Sequence, residues 1–214
     1  MFDRIAPVYD GMNRLMTAGL DLRWRRLAAE SDVQPGDEVL DAACGTGDFA
    51  LADLRAGAAS VTGIDFSERM LERARRKSAA VAWVQGDVLA LPFGEGSFDG
   101  VTIGFGVRNL ADDLEAGLRE LHRVLRPGGR LAILELTRPR GPLRPFFTLW
   151  FERVVPLLGR LVPGGGAYGY LPASVRRFPP AEELAALLSE VGFKSVRFRL
   201  LGGSIVALHT GVRA

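Results

Sequence analysis

VLDAACGTGDFAL, Val39 to Leu51, is an apolar run that breaks at a Gly-x-Gly turn and restarts with helical spacing. A strand that feeds a helix through such a turn presents backbone N–H groups and a helix N-terminus at its carboxyl end, where open α/β sheets bind ligands. Gly45 and Gly47 lack a Cβ, so a ligand can come close to the backbone. Gly45-x-Gly47-x-x-Ala50 also satisfies the dinucleotide fingerprint, and close helix packing alone would ask for the same glycines. NAD, another adenosine ligand and plain packing geometry are all open at this point.

Working outward, Pro35-Gly36 turns a helical N-terminal stretch, about Met12 to Ala29, into a first strand over Glu38 to Ala43. Short β-branched or apolar runs follow at Ser60–Phe66, Ala82–Gln85, Phe98–Gly104 and Arg130–Leu136, with helical periods at Phe49–Arg55, Glu68–Lys77 and Leu114–Leu125. Strand alternating with helix predicts a parallel sheet covered on both faces. Ser67 stands where an N-cap belongs, and Arg126-Pro-Gly-Gly129 reads as a helix stop. From Pro139 to Pro180 the texture changes to Pro, Gly, Arg and aromatics, which reads as an insertion over the sheet. A helix over Ala181–Val191 and two strands, Ser195–Leu201 and Ser204–His209, complete the chain. Only Gly202-Gly203 joins those strands, a link short enough to require an antiparallel hairpin. The expected fold is a Rossmann-like α/β architecture: a mostly parallel seven-stranded sheet with an antiparallel C-terminal hairpin.

At 214 residues and 48% apolar composition the chain suits a single domain with a full core. A formal net charge of +2 lacks the clustered excess of a nucleic-acid binder, and none is expected as a partner. Cys44 is the sole cysteine, which excludes a disulfide framework and a cysteine-based zinc site; no metal is expected, and a reducing cytoplasm fits. The start, MFDRIAP, has no apolar core of signal-peptide length, and no stretch approaches the roughly 18 apolar residues of a membrane span. A soluble or peripheral protein is the expectation.

Three acids bear on the ligand. Asp65 closes the second strand in VTGIDFS, placed to accept hydrogen bonds from ribose hydroxyls. Asp87 follows the third strand in WVQGDVLALPF, where an adenine amino group can be read. Asp41 lies inside the first strand beneath the glycine turn, to orient it or to meet a cationic ligand. So many carboxylates repel a pyrophosphate and attract a sulfonium with an ammonium group, which favours S-adenosylmethionine over NAD.

LDAACGTG, GIDFSERML, GDVLALPF, FDGVTIGFGVRNL and ELHRVLRPGGRLAILEL resemble the successive motifs of class I S-adenosylmethionine-dependent methyltransferases. MFDRIAPVYDGMNRLMTAGLDLRWRR, Gly106-Val-Arg-Asn109, YGYLPASVRRFP and GGSIVALHTG are similar, more narrowly, to ubiquinone/menaquinone C-methyltransferases. The resemblance covers nearly the whole chain. It implies S-adenosylmethionine as cofactor and a prenylated hydroquinone as substrate, demethylmenaquinol ahead of the ubiquinone precursor. It places Thr46, Asp65, Phe66, Asp87, Val88 and Gly104 against the cofactor, beside Asp41, Gly45 and Gly47. Where relatives often carry Ser at the end of the fourth strand this chain has Gly104, so contact there must come from backbone. Residues 1–30 would form a helical flap, with Tyr9 over donor and acceptor.

C-methylation of a hydroquinone needs in-line placement and a deprotonated or strongly polarised neighbouring hydroxyl. Arg108, after the fourth strand, is the candidate to stabilise developing phenolate charge, with a structural ion pair as its alternative. Asp48 is the candidate carboxylate to help take the proton; a charge satisfied by the helix dipole is the alternative. His209 reads as a core histidine, His122 as surface and Cys44 as packing. In the insertion, 139–180, Phe147, Trp150, Phe151, Val154 and Leu158 share one helical face behind Arg138, Arg140 and Arg144, with Pro156 as a kink. That segment fits a dock on an anionic membrane surface, and equally an apolar lid or a homodimer interface.

Overall fold

In the computed structural model, which describes residues 2–110, 113–141, 144–155, 157 and 171–214, seven strands pair into one twisted sheet. They are β1 (Glu38–Ala42), β2 (Ser60–Asp65), β3 (Ala82–Gln85), β4 (Phe98–Gly104), β5 (Leu125–Leu136), β6 (Phe193–Leu201) and β7 (Val206–Arg213). Their order is β3-β2-β1-β4-β5-β7-β6. β1 to β5 are parallel, whereas β7 runs antiparallel to both β5 and β6. The chain leaves β1 toward β2 on one side and returns to β4 on the other, so the order reverses between β1 and β4 and a crevice opens at their carboxyl ends. Ala42 pairs with Ile103 there, which brings the glycine turn beside Gly104.

Helices α4 (Asp48–Ala56), α5 (Glu68–Lys77), α6 (Leu114–Val124) and α9 (Ala181–Val191) cover the sheet, each close to its expected span. Ser67 caps α5 as anticipated: its Oγ accepts from the Met70 N–H at 3.3 Å. Two apolar clusters sandwich the central strands. One holds Leu40, Ile64, Val101, Ile103, Leu118, Leu121, Leu131 and Ile133; the other packs Trp24, Ala28 and Phe49 against Leu134, Val206 and Leu208. Continuous apolar strands buried on both faces are what a parallel sheet requires.

Three expectations change. The N-terminal stretch is not one helix: α1 (Phe2–Ile5), α2 (Tyr9–Thr17) and α3 (Leu20–Asp32) are separate, because Ala18 and Gly19 adopt φ of 51° and 75° and break α2 from α3. Arg126-Pro-Gly-Gly129 does stop α6, yet it lies within β5, opposite a register shift between Phe98 and Gly100; a Cβ on Gly129 would meet the Arg126 carbonyl oxygen at 2.7 Å. His122 is half-buried, edge-on to Phe193 with centroids 4.9 Å apart.

The insertion begins with α7 (Arg144–Leu149), a π-helical turn over Trp150–Val154 and, later, α8 (Leu171–Arg177). Phe147 and Trp150 pack inward, and the Trp150 indole donates to the Met16 carbonyl at 3.3 Å. The exposed apolar stripe is instead Phe146, Leu149 and Leu157, at 60%, 57% and 58% exposure. Phe146 and Leu149, three residues apart, share a face roughly 100° round the helix from the one the sequence suggested. The Phe151 side chain, Pro156, Leu158 and the tyrosines of YGYLPASVRRFP lie outside the described residues.

Candidate active site

The crevice at the β1/β4 switch is narrow, about 30 Å³, and its walls include Tyr9, Gly45, Asp65, Phe66, Gly104 and Phe105. The Asp65 carboxylate accepts from the Gly45 N–H at 2.8 Å and the Ser67 N–H at 2.9 Å. Burial raises its pKa against those two amides, and further lone pairs remain to accept from a diol. Gly45 has φ of 55° and open space where a side chain would be, apart from Tyr9 at 3.9 Å. A ribose held by a carboxylate above a bare backbone turn fits this arrangement.

The other expected cofactor contacts sit differently. Gly47 has φ of 83° and faces Trp83, whose ring would stand 2.4 Å from any Cβ there, so this glycine answers to packing. Thr46 is buried; its hydroxyl donates to Asp10 at 2.6 Å and accepts from the Lys77 ammonium at 2.9 Å. Asp41 is fully buried beneath the turn, away from the crevice walls. It accepts from the Ala50 N–H at 2.8 Å, which fixes the start of α4, and burial pushes its pKa to about 8. Val88 buries its side chain in the core, and Asp87 is exposed, accepting from the Leu89 N–H at 2.9 Å.

Asp48 begins α4 as predicted, but Lys77 reaches one carboxylate oxygen at 2.8 Å and Arg14 the other at 2.6 Å. Burial would raise its pKa; the two cations outweigh that and hold the carboxyl below the usual range. A carboxylate so held is a poor proton acceptor. The sequence offered no sign of this, since both cations come from elements far away along the chain.

A second cavity, about 60 Å³, lies behind the first and shares Tyr9 and Phe105 with it. Arg108 lines it, buried, donating to Glu135 at 2.7 Å and to the Phe105 carbonyl at 2.5 Å. Arg25 lines it too. Its guanidinium donates to Asp21 at 2.7 Å and stands 4.9 Å from the Phe105 ring centroid. Asp21 is held further by Arg14 and by the Thr17 hydroxyl at 3.0 Å. Arg25, Asp21 and Phe105 were missed by sequence reasoning. Arg25 and Asp21 belong to a helix that reads as an ordinary amphipathic segment, and only its packing over β4 and β5 brings them here.

Among the described residues no three His, Cys, Asp or Glu side chains are grouped as metal ligands. His209 is buried on β7 with Nε2 2.8 Å from the Ala181 carbonyl, the expected core histidine, and Cys44 is packed.

The profile of the ubiE/COQ5 methyltransferase family matches residues 1–213. A demethylmenaquinone methyltransferase of Thermus thermophilus is 49% identical over 221 residues, covering 100% of both chains. A ubiquinone/menaquinone biosynthesis C-methyltransferase of Geotalea uraniireducens is 41% identical, across 99% of this chain and 94% of the other. Among solved structures, a SAM-dependent methyltransferase of Thermotoga maritima superposes with a TM-score of 0.67 at 21% identity over 100% of both chains, a likeness of fold.

Proposed function

The chain belongs to the ubiE/COQ5 methyltransferase family, and from that premise we propose that it methylates a ring carbon of a prenylated hydroquinone, a demethylmenaquinol, in menaquinone biosynthesis. S-adenosylmethionine is the methyl donor. The observation that carries the reading is the pair of cavities divided by Tyr9 and Phe105: one has the Asp65 carboxylate and bare Gly45 backbone for an adenosyl group, the other two guanidiniums for an acidic hydroxyl.

With the donor bound, its methyl group would pass from sulfur to the ring carbon, leaving the thioether, and that carbon would then give up its proton to restore the aromatic ring. S-adenosylmethionine supplies the methyl group with its electrophilicity. Asp65 and Gly45 bind and orient the ribose, and Gly104 lets the backbone of β4 approach. Arg108 and Arg25 lie where a phenolic hydroxyl would ionise. Hydrogen bonds from their N–H groups favour the ionised oxygen and lower its pKa, so that solvent can take the proton without a dedicated side-chain base. Glu135 and Asp21 hold the two guanidiniums in place. Tyr9, on the flap, excludes water from the shared wall.

Residues 1–214 act as one domain, with 1–30 the flap and 139–180 a lid. Among the described residues no helix is long and apolar enough to cross a membrane. The stripe Phe146, Leu149 and Leu157, with exposed Arg144 and Arg153 on the same segment, supports peripheral docking on an anionic surface at the inner face of the membrane. Flotation with anionic liposomes, lost in a Phe146→Ser/Leu149→Ser variant, is the expected outcome; equal flotation of both proteins would remove that part.

The main test is transfer of labelled methyl from S-adenosylmethionine to demethylmenaquinol and to its quinone. The hydroquinone alone should be methylated, with kcat in Arg108→Lys reduced roughly 10²-fold while cofactor affinity is retained. Methylation of the oxidised ring at the same rate would overturn the phenolate mechanism. A preference for the ubiquinone precursor would move the substrate within the family.

A further inference from the structure

Between the end of β5 and helices α7 and α8 runs a groove of about 540 Å³, within the roughly 300–1,000 Å³ of small-molecule sites. Its floor is apolar: Leu136 and Ile205 are buried, and Phe147, Pro172 and Val175 are half-buried. Arg138 and Arg144 stand exposed on its rim. Leu136 and Ile205 also line the cavity of Arg25 and Arg108, and Leu171, the first residue of α8, closes that same cavity three residues and one turn from Ser174 and Val175. The two spaces therefore meet across one apolar wall. On the opposite side the guanidinium cavity abuts the glycine-turn crevice through Tyr9 and Phe105.

We propose that this groove holds the isoprenoid tail of the acceptor, a proposal that rests on reading the acceptor as a prenylated hydroquinone. In a demethylmenaquinol the prenyl group sits on the ring carbon next to the reacting one, so with the ring against Arg25 and Arg108 the tail leaves beside the transfer axis and turns away from Tyr9 and Phe105 at its first methylene. The way out on that side is past Leu136 and Ile205. A branched hydrocarbon chain has no hydrogen bond to make, and the floor asks for none. Each unit laid along Phe147 and Val175 removes apolar surface from water, so the groove converts tail length into affinity. The polar rim is set apart from the floor, so the chain lies beneath the arginines and is not in competition with them.

Two probes separate the tail from the ring: farnesol, a prenyl chain without a ring, and 1,4-naphthohydroquinone, a ring without a tail. Calorimetry and initial rates would be measured on the full chain, on Val175→Trp, which fills the groove, and on Thr148→Trp, a rim substitution at an exposed position that puts the fold at little risk. Farnesol should bind the unmodified protein and compete with a prenylated acceptor but not with S-adenosylmethionine. Both variants should weaken farnesol binding and raise KM for the prenylated acceptor roughly tenfold, leaving KM for 1,4-naphthohydroquinone unchanged. Farnesol binding that is equal in all three proteins, or KM raised equally for both acceptors, would overturn the assignment. If the prenylated hydroquinone itself is never methylated while the variants still lose farnesol, the groove stands and the ring chemistry proposed above falls.

Discussion

A Cβ on Gly104 would stand 2.7 Å from the Phe49 ring, and one on Gly47 would stand 2.4 Å from Trp83. Both contacts are closer than packed carbon atoms tolerate, so the crevice is shaped by two aromatic side chains pressed against bare backbone. Gly104→Ser should cost about 1–3 kcal/mol through overpacking, a fall of a few degrees in Tm, and Phe49→Leu in the same chain should recover most of it. Failure of the second substitution to rescue would place the strain elsewhere. At this scale the sequence was informative where a role depends on neighbours in the chain. Asp65 and Gly45 could be read because a strand end and its turn are local. Asp48 could not, since its meaning depends on Lys77 and Arg14, and the Arg25–Asp21 pair was silent for the same reason.

The helix Tyr9–Thr17 is tied down by charges at both of its turns. Asp10 meets Lys77 at 2.7 Å and the Thr46 hydroxyl at 2.6 Å, while Arg14 meets Asp48 at 2.6 Å. Crevices of about 30 and 60 Å³ hold little more than a few waters, so α2 must swing outward for donor and acceptor to enter. These pairs are partly exposed, which makes each worth little alone and leaves the opening sensitive to salt. Asp48→Asn should speed amide exchange selectively in Tyr9–Thr17 and make the KM for S-adenosylmethionine less dependent on ionic strength, with exchange in β1 and β4 unchanged. Uniformly faster exchange would show a global loss of stability instead. The elements themselves were largely legible, because alternation and apolar period survive any tertiary context. The break at Ala18–Gly19 and the strand character of Arg126–Gly129 were not, since both depend on what the backbone meets after folding.

Across the whole molecule, carboxyls are buried in the α4 side of the sheet at unusual density. Burial pushes Asp32 to about 7 and Asp41 to about 8, and drives Asp53 upward as well; Asp53 accepts from the Thr102 hydroxyl at 2.8 Å. The folded state thus keeps protons that the unfolded chain releases near pH 4. Their contribution to stability is full below that pH and is lost as pH rises through about 7 to 8. Asp48, Asp99 and Glu120 are shifted downward and act in the opposite sense, losing their contribution as the solution turns acid. Thermal unfolding should therefore show Tm falling between pH 5 and pH 8, and Asp32→Asn should flatten that slope by a few degrees; an unchanged slope would mean Asp32 is ionised in the fold. The topology has one more consequence. The seventh strand in the chain lies sixth in the sheet, between β5 and β6, and Arg213 at its end donates to the Arg123 and Leu125 carbonyls at 2.7 and 2.5 Å. As the polypeptide leaves the ribosome, β6 emerges before the strand it must pair with, and β5 waits with one edge bare. The sheet can close only after Val206–Arg213 has been synthesised, so a stalled or truncated translation product would carry two open edges, and chaperones or proteases would meet it in that state.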